Sequence, residues 1–290
     1  MCELVQVSRA SFYRHWLEAV PDAAEMKLRD AIERVSLANR FYGYRRVAEQ
    51  LKIEGVVVSV KVVRRLMQQD QLLAIRRRRF VVTTDSEHRF RVFPNLARYL
   101  KLTMPNQLWI ADFTYIRLAS EFVFLAVVLD AWSRCVIGWK LGRKLDTSLA
   151  LAALEQAIQA RQPYPGLVHH SDGGSQYAST DYVKKLENIE ASLSMSRPAR
   201  PWENGRCESF IWTLKKEEIN ARAYTTLEDL SRHIDEFIQT YYNPLRLHSA
   251  LHYCSPLEFE RIDTPPQPWR PAALEFIARQ EESLPASSGA

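Results

Sequence analysis

Cysteine is scarce in this sequence, and the usual metal-binding cysteine patterns are missing. Its four cysteines, at positions 2, 135, 207 and 254, include no CxxC pair. This excludes a disulfide scaffold and favours a reducing, cytoplasmic environment. His248 and His252 have the spacing of a zinc-binding histidine pair. Because no cysteine pair completes the ligand set, this spacing does not predict a zinc site.

Long hydrophobic segments are also missing. The longest uninterrupted apolar run, Phe122–Leu129, has eight residues, whereas a helix that crosses a membrane needs about 20. The sequence starts without the apolar core of a signal peptide. We therefore expect neither a membrane segment nor secretion. A chain of 290 residues that is 47% hydrophobic is long enough for about two globular domains.

Charge is distributed unevenly along the chain. Residues 1–101 contain 20 Lys and Arg against 11 Asp and Glu, a net charge of +9, and the remainder contains 19 against 23, a net charge of −4. A basic first part is typical of a module that binds a polyanion such as DNA. Since moderately basic domains are common, charge alone favours nucleic acid only weakly.

The first part has the pattern of short amphipathic helices. Apolar residues recur at helical spacing in three segments: 23–39, 44–53 and 60–69. Gly43 and Gly55 mark the breaks, and Ser59 is a candidate N-cap for the third helix. Three short helices with basic residues on the last one are typical of a helix-turn-helix unit.

The second part alternates between strand and helix patterns. Three apolar segments with short connections predict an antiparallel meander: 108–118, 121–129 and 135–141. Two further strands and four helices follow: helix 147–160 with Thr147 as N-cap, strand 167–170, helix 179–187, strand 189–195, and helices 205–219 and 226–242. This order predicts an α/β fold with a mixed sheet flanked by helices.

Three carboxylates stand out by their positions in this pattern. Asp112 lies inside the first strand, Asp172 ends the fourth, and Glu208 lies on a helix among apolar residues. If the first two lie on neighbouring strands and the third on a helix over the sheet edge, all three converge. Such a cluster repels itself unless cations compensate it. Hard divalent cations, Mg²⁺ or Mn²⁺, suit these oxygen ligands.

Each of these acids also has a purely structural interpretation. Asp112 is compatible with a hydrogen-bonded carboxylate on an edge strand, Asp172 with a turn before two glycines, and Glu208 with an ordinary helix position. Asp130, at the end of the apolar run, competes for the role of second acid. We interpret Asp130 instead as a strand-end cap.

The spacing of the acids decides between these interpretations. Fifty-nine residues separate Asp112 from Asp172, and 35 separate Asp172 from Glu208. Together with the stretches DFTYI, VLDAWSR, HHSDGGSQYAS, SMSRP and YNPLRLHSALHYCSPLEFE, this spacing resembles the retroviral-integrase-like DDE transposases of bacterial insertion sequences. The sequence is most similar to the second reading frame (OrfB) of the insertion sequence 3 family. GYRRV and RRLMQQDQLL extend the resemblance into the first part.

The resemblance implies a ribonuclease-H-like catalytic core that performs phosphoryl transfer on DNA. Asp112, Asp172 and Glu208 would be catalytic and would hold two Mg²⁺ (or Mn²⁺) ions. These ions would activate water to nick the 3′ end of the element, and then the freed 3′-hydroxyl for strand transfer. The alternatives are a ribonuclease-H-like nuclease without strand transfer and a non-catalytic DNA-binding regulator. The basic first part argues against the former, and the intact triad against the latter.

The helix that carries Glu208 has one departure from the family pattern. The usual Asp-Asn-Ala ahead of the glutamate is Glu203-Asn204-Gly205 here. We expect Glu203 on another face of the helix, so it is not a rival ligand. Lys215 lies two turns after Glu208, and the resemblance implies that it contacts a DNA phosphate.

Basic residues of the first part are the other candidate DNA contacts. They are Arg64 and Arg65 on the third helix and the run Arg76, Arg77, Arg78 and Arg79. A solvated linker is the alternative for this run. The segment Tyr241–Ser249 is compatible either with a lid that packs on the sheet or with contacts that order DNA or the active-site helix.

We predict five segments: a partial helix-turn-helix in 1–22, a helix-turn-helix-like DNA-binding domain in 23–75, a basic linker in 76–104, an integrase-like core in 105–261 and a flexible tail in 262–290. The expected substrates are double-stranded DNA at the element ends and at the target. Two ends require at least two protomers, so we expect a homo-oligomer on DNA. The sequence shows no leucine heptad, and the resemblance implies that an upstream-frame OrfA protein or fusion supplies pairing and end recognition. The expected location is the bacterial cytoplasm, with nucleoid association on DNA.

Overall fold

A computed structural model describes residues 23–72, 93–118, 121–197 and 200–262. The chain divides into two compact units between Arg79 and Phe80. The predictions for 1–22, for the arginine run at 76–79 and for 263–290 concern residues outside the described ranges. No helix within those ranges is long and apolar enough to cross a membrane.

The first unit contains three helices: α1 (Ala23–Ala38), α2 (Tyr44–Ile53) and α3 (Val60–Gln69). Their apolar faces bury one shared core that includes Ile32, Leu51 and Leu66. The Ser59 hydroxyl accepts a hydrogen bond from the Val62 N–H. The predicted N-cap of the third helix is therefore confirmed.

The second unit is built on a five-stranded sheet. Its strands are β1 (Leu108–Arg117), β2 (Phe122–Asp130), β3 (Val136–Gly142), β4 (Val168–Ser171) and β5 (Ser192–Met195). The spatial order is β3-β2-β1-β4-β5. The first three strands pair antiparallel, which confirms the meander, whereas β4 pairs parallel with both β1 and β5. This mixed sheet with flanking helices is a ribonuclease-H-like α/β fold, as predicted.

The position of β1 corrects one interpretation of Asp112. We considered an edge-strand carboxylate, but β1 is the central strand of the sheet, with β2 on one side and β4 on the other. A carboxylate there has no access to water through an open strand edge. Its surroundings must therefore compensate its charge in another way.

Helices cover both faces of the sheet. They are α4 (Thr147–Arg161), α5 (Thr180–Glu187), α6 (Gly205–Glu217), α7 (Leu227–Glu236), a π-helix (Phe237–Tyr242) and α8 (Pro256–Ile262). Helices α6 and α7 pack on the face that carries Leu108 and Ile110. Helices α4 and α5 pack on the face that carries Trp109 and Ala111. Helix α4 approaches β3 so closely that a Cβ at Gly138 would lie 2.2 Å from a backbone oxygen of the helix.

Three predicted helix boundaries require correction. The N-cap of α4 is Asp146 rather than Thr147, because the Asp146 carboxylate accepts the Leu149 N–H at 3.0 Å. Helix α6 ends at Glu217, two residues before its predicted end. Thr226 caps α7, but the last turns of the predicted helix 226–242 adopt the wider π form.

Candidate active site

The pairing of β1 with β4 places two of the predicted acids side by side. Ile110 pairs with His170, and both strands then run toward an acid two residues further on. Asp172 directly follows β4, in a turn where its Oδ1 accepts the Gly174 N–H at 3.1 Å. Asp112 is half-buried, and its Oδ1 accepts the Phe113 N–H at 2.8 Å.

Helix α6 brings the third acid over this pair. The Asn204 side-chain amide, just before α6, donates to the Ala111 carbonyl at 3.1 Å. Phe210 and Leu214 bury the inner face of the helix against the sheet. This anchoring leaves Glu208 on the exposed side of the first turn.

The pKa of Asp112 depends on the charges of the other two acids. Burial raises the pKa of Asp112 well above its ordinary value, and the charges of Asp172 and Glu208 raise it further. The Phe113 N–H and Lys215 act in the opposite direction. Burial also raises the pKa of Glu208. The charges of Asp172 and Glu208 therefore act on Asp112, which lies between β2 and β4 in the sheet.

Polar groups beneath the acids are strongly perturbed as well. The thiol of Cys207 is fully buried, and its pKa is raised well above normal by burial and then by the three acids. The Tyr177 hydroxyl is buried without a hydrogen-bond partner among the described residues, and the same holds for Oδ1 of Asn204. These two oxygens were not predicted, because nothing in their local sequence distinguishes them.

No three His, Cys, Asp or Glu side chains within the described ranges are close enough to form a complete metal site.

Lys215 lies near the acids, as its position on α6 predicts. Its Nζ is 4.6 Å from the centre of the Tyr115 ring. Burial lowers the pKa of Lys215, and the nearby charge of Asp112 partly offsets this effect. An ammonium group that is partly dehydrated beside carboxylates is well placed to meet a phosphate.

The two competing acids have structural partners. Asp130 is fully buried and accepts the backbone N–H groups of Asn106, Trp132 and Ser133 at 2.6–3.0 Å, so it is the strand-end cap that we expected. Glu203 lies in a short 3₁₀-helix before α6 and not on α6 itself, which corrects its predicted placement. Burial opposes its charge, but bonds from Arg197 and Asn95 hold the pKa of Glu203 at about 2.

Strand β4 carries two buried, neutral histidines. Burial lowers the pKa of His169 to about 3 and that of His170 to about 4. The His170 ring lies within hydrogen-bond distance of the hydroxyls of Ser194 and Ser196, at 2.8 and 2.9 Å. His170 therefore ties β4 to β5, His169 lies 3.0 Å from the Tyr182 hydroxyl of α5, and neither ring supplies a proton at neutral pH.

The candidate DNA contacts of the first unit differ in their surroundings. The guanidinium of Arg64 lies 5.6 Å from the centre of the Tyr44 ring, and Arg45 lies 5.7 Å from the same ring. Arg65 is 3.5 Å from Glu25, so part of its charge is neutralised.

The C-terminal run packs against both the sheet and α6. The Asn243 side chain makes two hydrogen bonds of 3.0 Å with the backbone of Val136 in β3. Arg246 forms a buried ion pair with Glu217 in the last turn of α6. The run therefore packs on the sheet through Asn243, as the first interpretation predicts, and it also contacts the active-site helix through Arg246, as part of the second predicts. His248 is buried with its ring against Tyr242.

The structure also brings together residues that the sequence analysis missed. Arg134, Trp202 and Arg206 line a common pocket next to the acids. They come from segments far apart in sequence, and no spacing links them. The only available signal was that Arg134 belongs to the VLDAWSR stretch.

Comparisons with known families define the class of this protein. The family described as "Integrase core domain" matches residues 103–201, and a second family with the same description matches 190–256. The family "HTH-like domain" matches residues 23–80. The protein therefore has the integrase-type catalytic core together with a helix-turn-helix-like region.

Curated relatives extend over nearly the whole chain. It is 33% identical over 264 residues to the insertion element IS600 uncharacterized 31 kDa protein of Shigella sonnei, covering 89% of this chain and 97% of that protein. It is 36% identical over 224 residues to the transposase for insertion sequence element IS904 of Lactococcus lactis, with coverages of 77% and 88%. It is 31% identical over 266 residues to transposase InsF for insertion sequence IS3A of Escherichia coli, with coverages of 90% and 92%. The chain belongs to the insertion sequence 3 family of DNA transposases, which confirms the family and enzyme class expected from its motifs.

Solved structures show more distant similarity. The chain matches the simian T-cell lymphotropic virus intasome in complex with PP2A regulatory subunit B56 gamma at a TM-score of 0.49 and 16% identity, covering 83% of this chain and 78% of that chain. It matches the HTLV-2 integrase catalytic core domain in complex with magnesium at a TM-score of 0.44 and 18% identity, with coverages of 54% and 97%.

Proposed function

We propose that Asp112, Asp172 and Glu208 are the catalytic carboxylates of this transposase and hold its divalent metal ions. The observation that carries the proposal is the pairing of β1 with β4, which places an acid two residues beyond Ile110 and His170 on neighbouring strands, and the raised pKa of Asp112 agrees with it. A central strand retains such an unfavourable group where function requires it. The reaction is 3′-end nicking of the element followed by strand transfer.

The residues around the acids fit a hard cation. All three candidate ligands offer carboxylate oxygens, which Mg²⁺ and Mn²⁺ prefer. Two cations would offset the repulsion among the acids and, when bound, would stabilise the entering and leaving oxygens of an in-line displacement. The buried Oδ1 of Asn204, one turn before Glu208, has no hydrogen-bond partner among the described residues and is a further oxygen donor near α6.

The remaining residues hold and orient the DNA. The bond from Asn204 to the Ala111 carbonyl fixes the start of α6 relative to β1, and so fixes Glu208 relative to Asp112. Lys215, near both Asp112 and Tyr115, binds a phosphate beside the acids. No covalent enzyme intermediate is needed, because water and then the 3′-hydroxyl act as nucleophiles.

The test compares three conservative variants with one matched control. Asp112→Asn, Asp172→Asn and Glu208→Gln each abolish nicking and joining of a labelled element-end duplex in Mg²⁺, whereas DNA binding in a gel shift is retained. Asp181→Asn, which changes an exposed acid in the first turn of α5, leaves both measurements unchanged. Substantial strand transfer by any of the three variants would refute the assignment.

We propose further that residues 23–75 form a DNA-binding domain, that 76–104 is a basic linker and that 105–261 is the catalytic core. Arg64 and Arg65, with Arg76–Arg79, supply phosphate contacts. Since Arg65 shares its charge with Glu25, Arg64→Gln lowers the slope of log Kd against log salt by about 0.9 for duplex DNA, and Arg65→Gln lowers it less. Equal slopes for the wild-type protein and Arg64→Gln would contradict this contact.

Assembly is also part of the proposal. Joining two element ends requires at least two protomers on chromosomal DNA in the bacterial nucleoid, and an OrfA protein or fusion supplies end selectivity. This chain alone then binds element-end and random duplexes with similar affinity, because charge dominates its contacts. Competition gel shifts test this, and paired-end complexes with strong end selectivity from the chain alone would contradict it.

A further inference from the structure

A polar pocket lies beside the acids, on the same face of the sheet. It has a volume of about 520 Å³ and is formed by the segment before β1, the turn between β2 and β3, and the start of α6. Its polar and aromatic lining includes Arg98, Arg134, Trp202, Glu203, Arg206 and Ser209. None of the functions assigned above uses this pocket.

The charge in the pocket is positive and only partly compensated. Neither Arg134 nor Arg206 has an ion-pair partner within the described part of the chain. The pKa of Arg206 is lowered by burial and then by the like charge of Arg134, with a smaller opposing effect from Asp130. The one acid in the lining, Glu203, is already paired with Arg197. Two guanidinium groups that repel each other in one pocket are suited to an anion between them.

The rim of the pocket carries an aromatic surface. The side chain of Trp202 is 65% exposed, which is unusual for so large an apolar group. The guanidinium of Arg200 lies 5.5 Å from the ring centre of Trp202. Exposed aromatic and arginine planes are the groups on which nucleic-acid bases stack.

The position of the pocket relates it to the acids. Ile110 lines the pocket, and Asp112 lies on the same face of β1 two residues further, a distance of about 7 Å along a strand. Ser209, also in the lining, is the neighbour of Glu208 on α6. A separation of this size is about that between neighbouring phosphates of one DNA strand, so the pocket lies next to the place of the reacting phosphate.

We propose that this pocket binds a backbone phosphate of the DNA substrate between Arg134 and Arg206, next to the phosphate at the acids, while Trp202 stacks on a base of the same strand. The inference rests on the proposed function, because the acids define where the reacting phosphate lies. An acidic protein segment would also satisfy the arginines. The exposed tryptophan and the continuity with the acids favour nucleic acid.

The test uses the full chain in EDTA, so that binding is measured without catalysis. The probes are a fluorescein-labelled 30-bp duplex of arbitrary sequence and the corresponding single strand, titrated at several KCl concentrations. Arg134 has a left-handed backbone with φ of 63°, so Arg134→Asn is chosen because asparagine tolerates this conformation. The double variant Arg134→Asn/Arg206→Gln removes both charges.

The double variant lowers the slope of log Kd against log salt by about 0.9 on the duplex, because the contact with one phosphate is lost. Arg206→Gln alone lowers it by about half as much, which provides a test if the double variant folds poorly. The control Lys140→Gln/Lys184→Gln also removes two positive charges. Both lysines are exposed, Lys140 on β3 and Lys184 on α5, the helix on the other face of the sheet from α6. This control leaves the slope unchanged. Trp202→Ala keeps the slope and weakens single-strand binding by about tenfold.

Two results would overturn the inference. One is an unchanged slope for folded Arg206→Gln and for the double variant. The other is an equal decrease for the control pair, since the effect would then reflect net charge alone. If the double variant loses binding to a polyglutamate peptide while its DNA slope is unchanged, the pocket binds an acidic protein segment instead. The binding measurement is made in EDTA and does not depend on catalysis. If the catalytic assignment is wrong, the strand-transfer assay shows this, and the binding result still tests the pocket.

Discussion

Arg246 and Glu217 form a two-point ion pair that is almost closed to solvent. The Nε–Oε2 and Nη2–Oε1 distances are 2.8 and 2.7 Å, and the two side chains are 3% and 2% exposed. The Tyr241 hydroxyl donates a third bond to Glu217. The contact ties the segment after the π-helix to the last turn of α6, and thus to the helix that carries Glu208.

Breaking this pair from one side is expected to be costly. Arg246→Ala leaves the Glu217 carboxylate buried without its partner, which costs about 3–5 kcal/mol in the free energy of unfolding. Urea titration followed by circular dichroism measures the loss. The double replacement Arg246→Met/Glu217→Leu recovers most of it, because no charge remains buried. A cost below about 1 kcal/mol for Arg246→Ala would mean that water reaches the pair.

The charges of Asp112, Asp172 and Glu208 are expected to lower the free energy of unfolding when no metal is present. Asp112→Asn keeps the acceptor for the Phe113 N–H but removes the charge that burial, Asp172 and Glu208 disfavour. In EDTA the variant is more stable than the wild-type protein by about 1 kcal/mol. The pKa of Asp112 is raised on folding, so the wild-type protein gains stability as pH falls and the carboxyl group is protonated. The advantage of the variant therefore decreases toward acid pH.

Magnesium provides the matched control for that experiment. Mg²⁺ binds the folded wild-type protein and raises its Tm, whereas Asp112→Asn, which lacks one ligand, gains less. Thermal melts with and without the ion measure both shifts. A variant that is less stable than the wild-type protein in EDTA, or that gains equally from Mg²⁺, contradicts the assignment of a strained metal site.

The buried histidine of β4 is expected to control stability in acid. The pKa of His170 falls from 6.5 to about 4 on folding, so the unfolded chain takes up its proton first. The contribution of neutral His170 to the free energy of unfolding is fully present above pH 6.5. It is lost as pH falls toward 4. His170→Gln reduces the slope of unfolding free energy against pH in this window by up to about 1.4 kcal/mol per pH unit. Urea titrations at stepped pH test this, and identical slopes would show that His170 is already solvated.

The corrected N-cap of α4 predicts a difference between two neighbouring residues. Asp146→Ala removes the acceptor of the Leu149 N–H and of the Ser148 hydroxyl, and lowers Tm by about 2–4 °C. Thr147→Ala changes Tm little, since Thr147 is the first residue inside the helix. Equal losses for both variants would contradict this cap.

The sequence predicted most helices and strands because their apolar residues follow the periods of a helix or a strand. Asp146 was missed because aspartate and threonine both cap helices, and only the backbone geometry distinguishes them. The central position of β1 could not be predicted, since its pairing with β4 joins segments far apart in the chain. The acids were recognised because their spacing matches a known pattern. The pocket of Arg134 and Arg206 was not recognised, because no spacing pattern links these two residues. Glu217 and Arg246 each have the sequence context of a solvated charge.

The topology around β1 has a consequence for when the enzyme becomes active. Asp112 belongs to a meander of three consecutive strands, which forms through contacts between neighbours in the chain. Asp172 and Glu208 join it through the pairing of β4 and the docking of α6, and we expect these long-range contacts to form more slowly. A nascent or partly unfolded chain therefore holds one acid without the other two. The proposed catalytic set is therefore complete only when the whole core is folded.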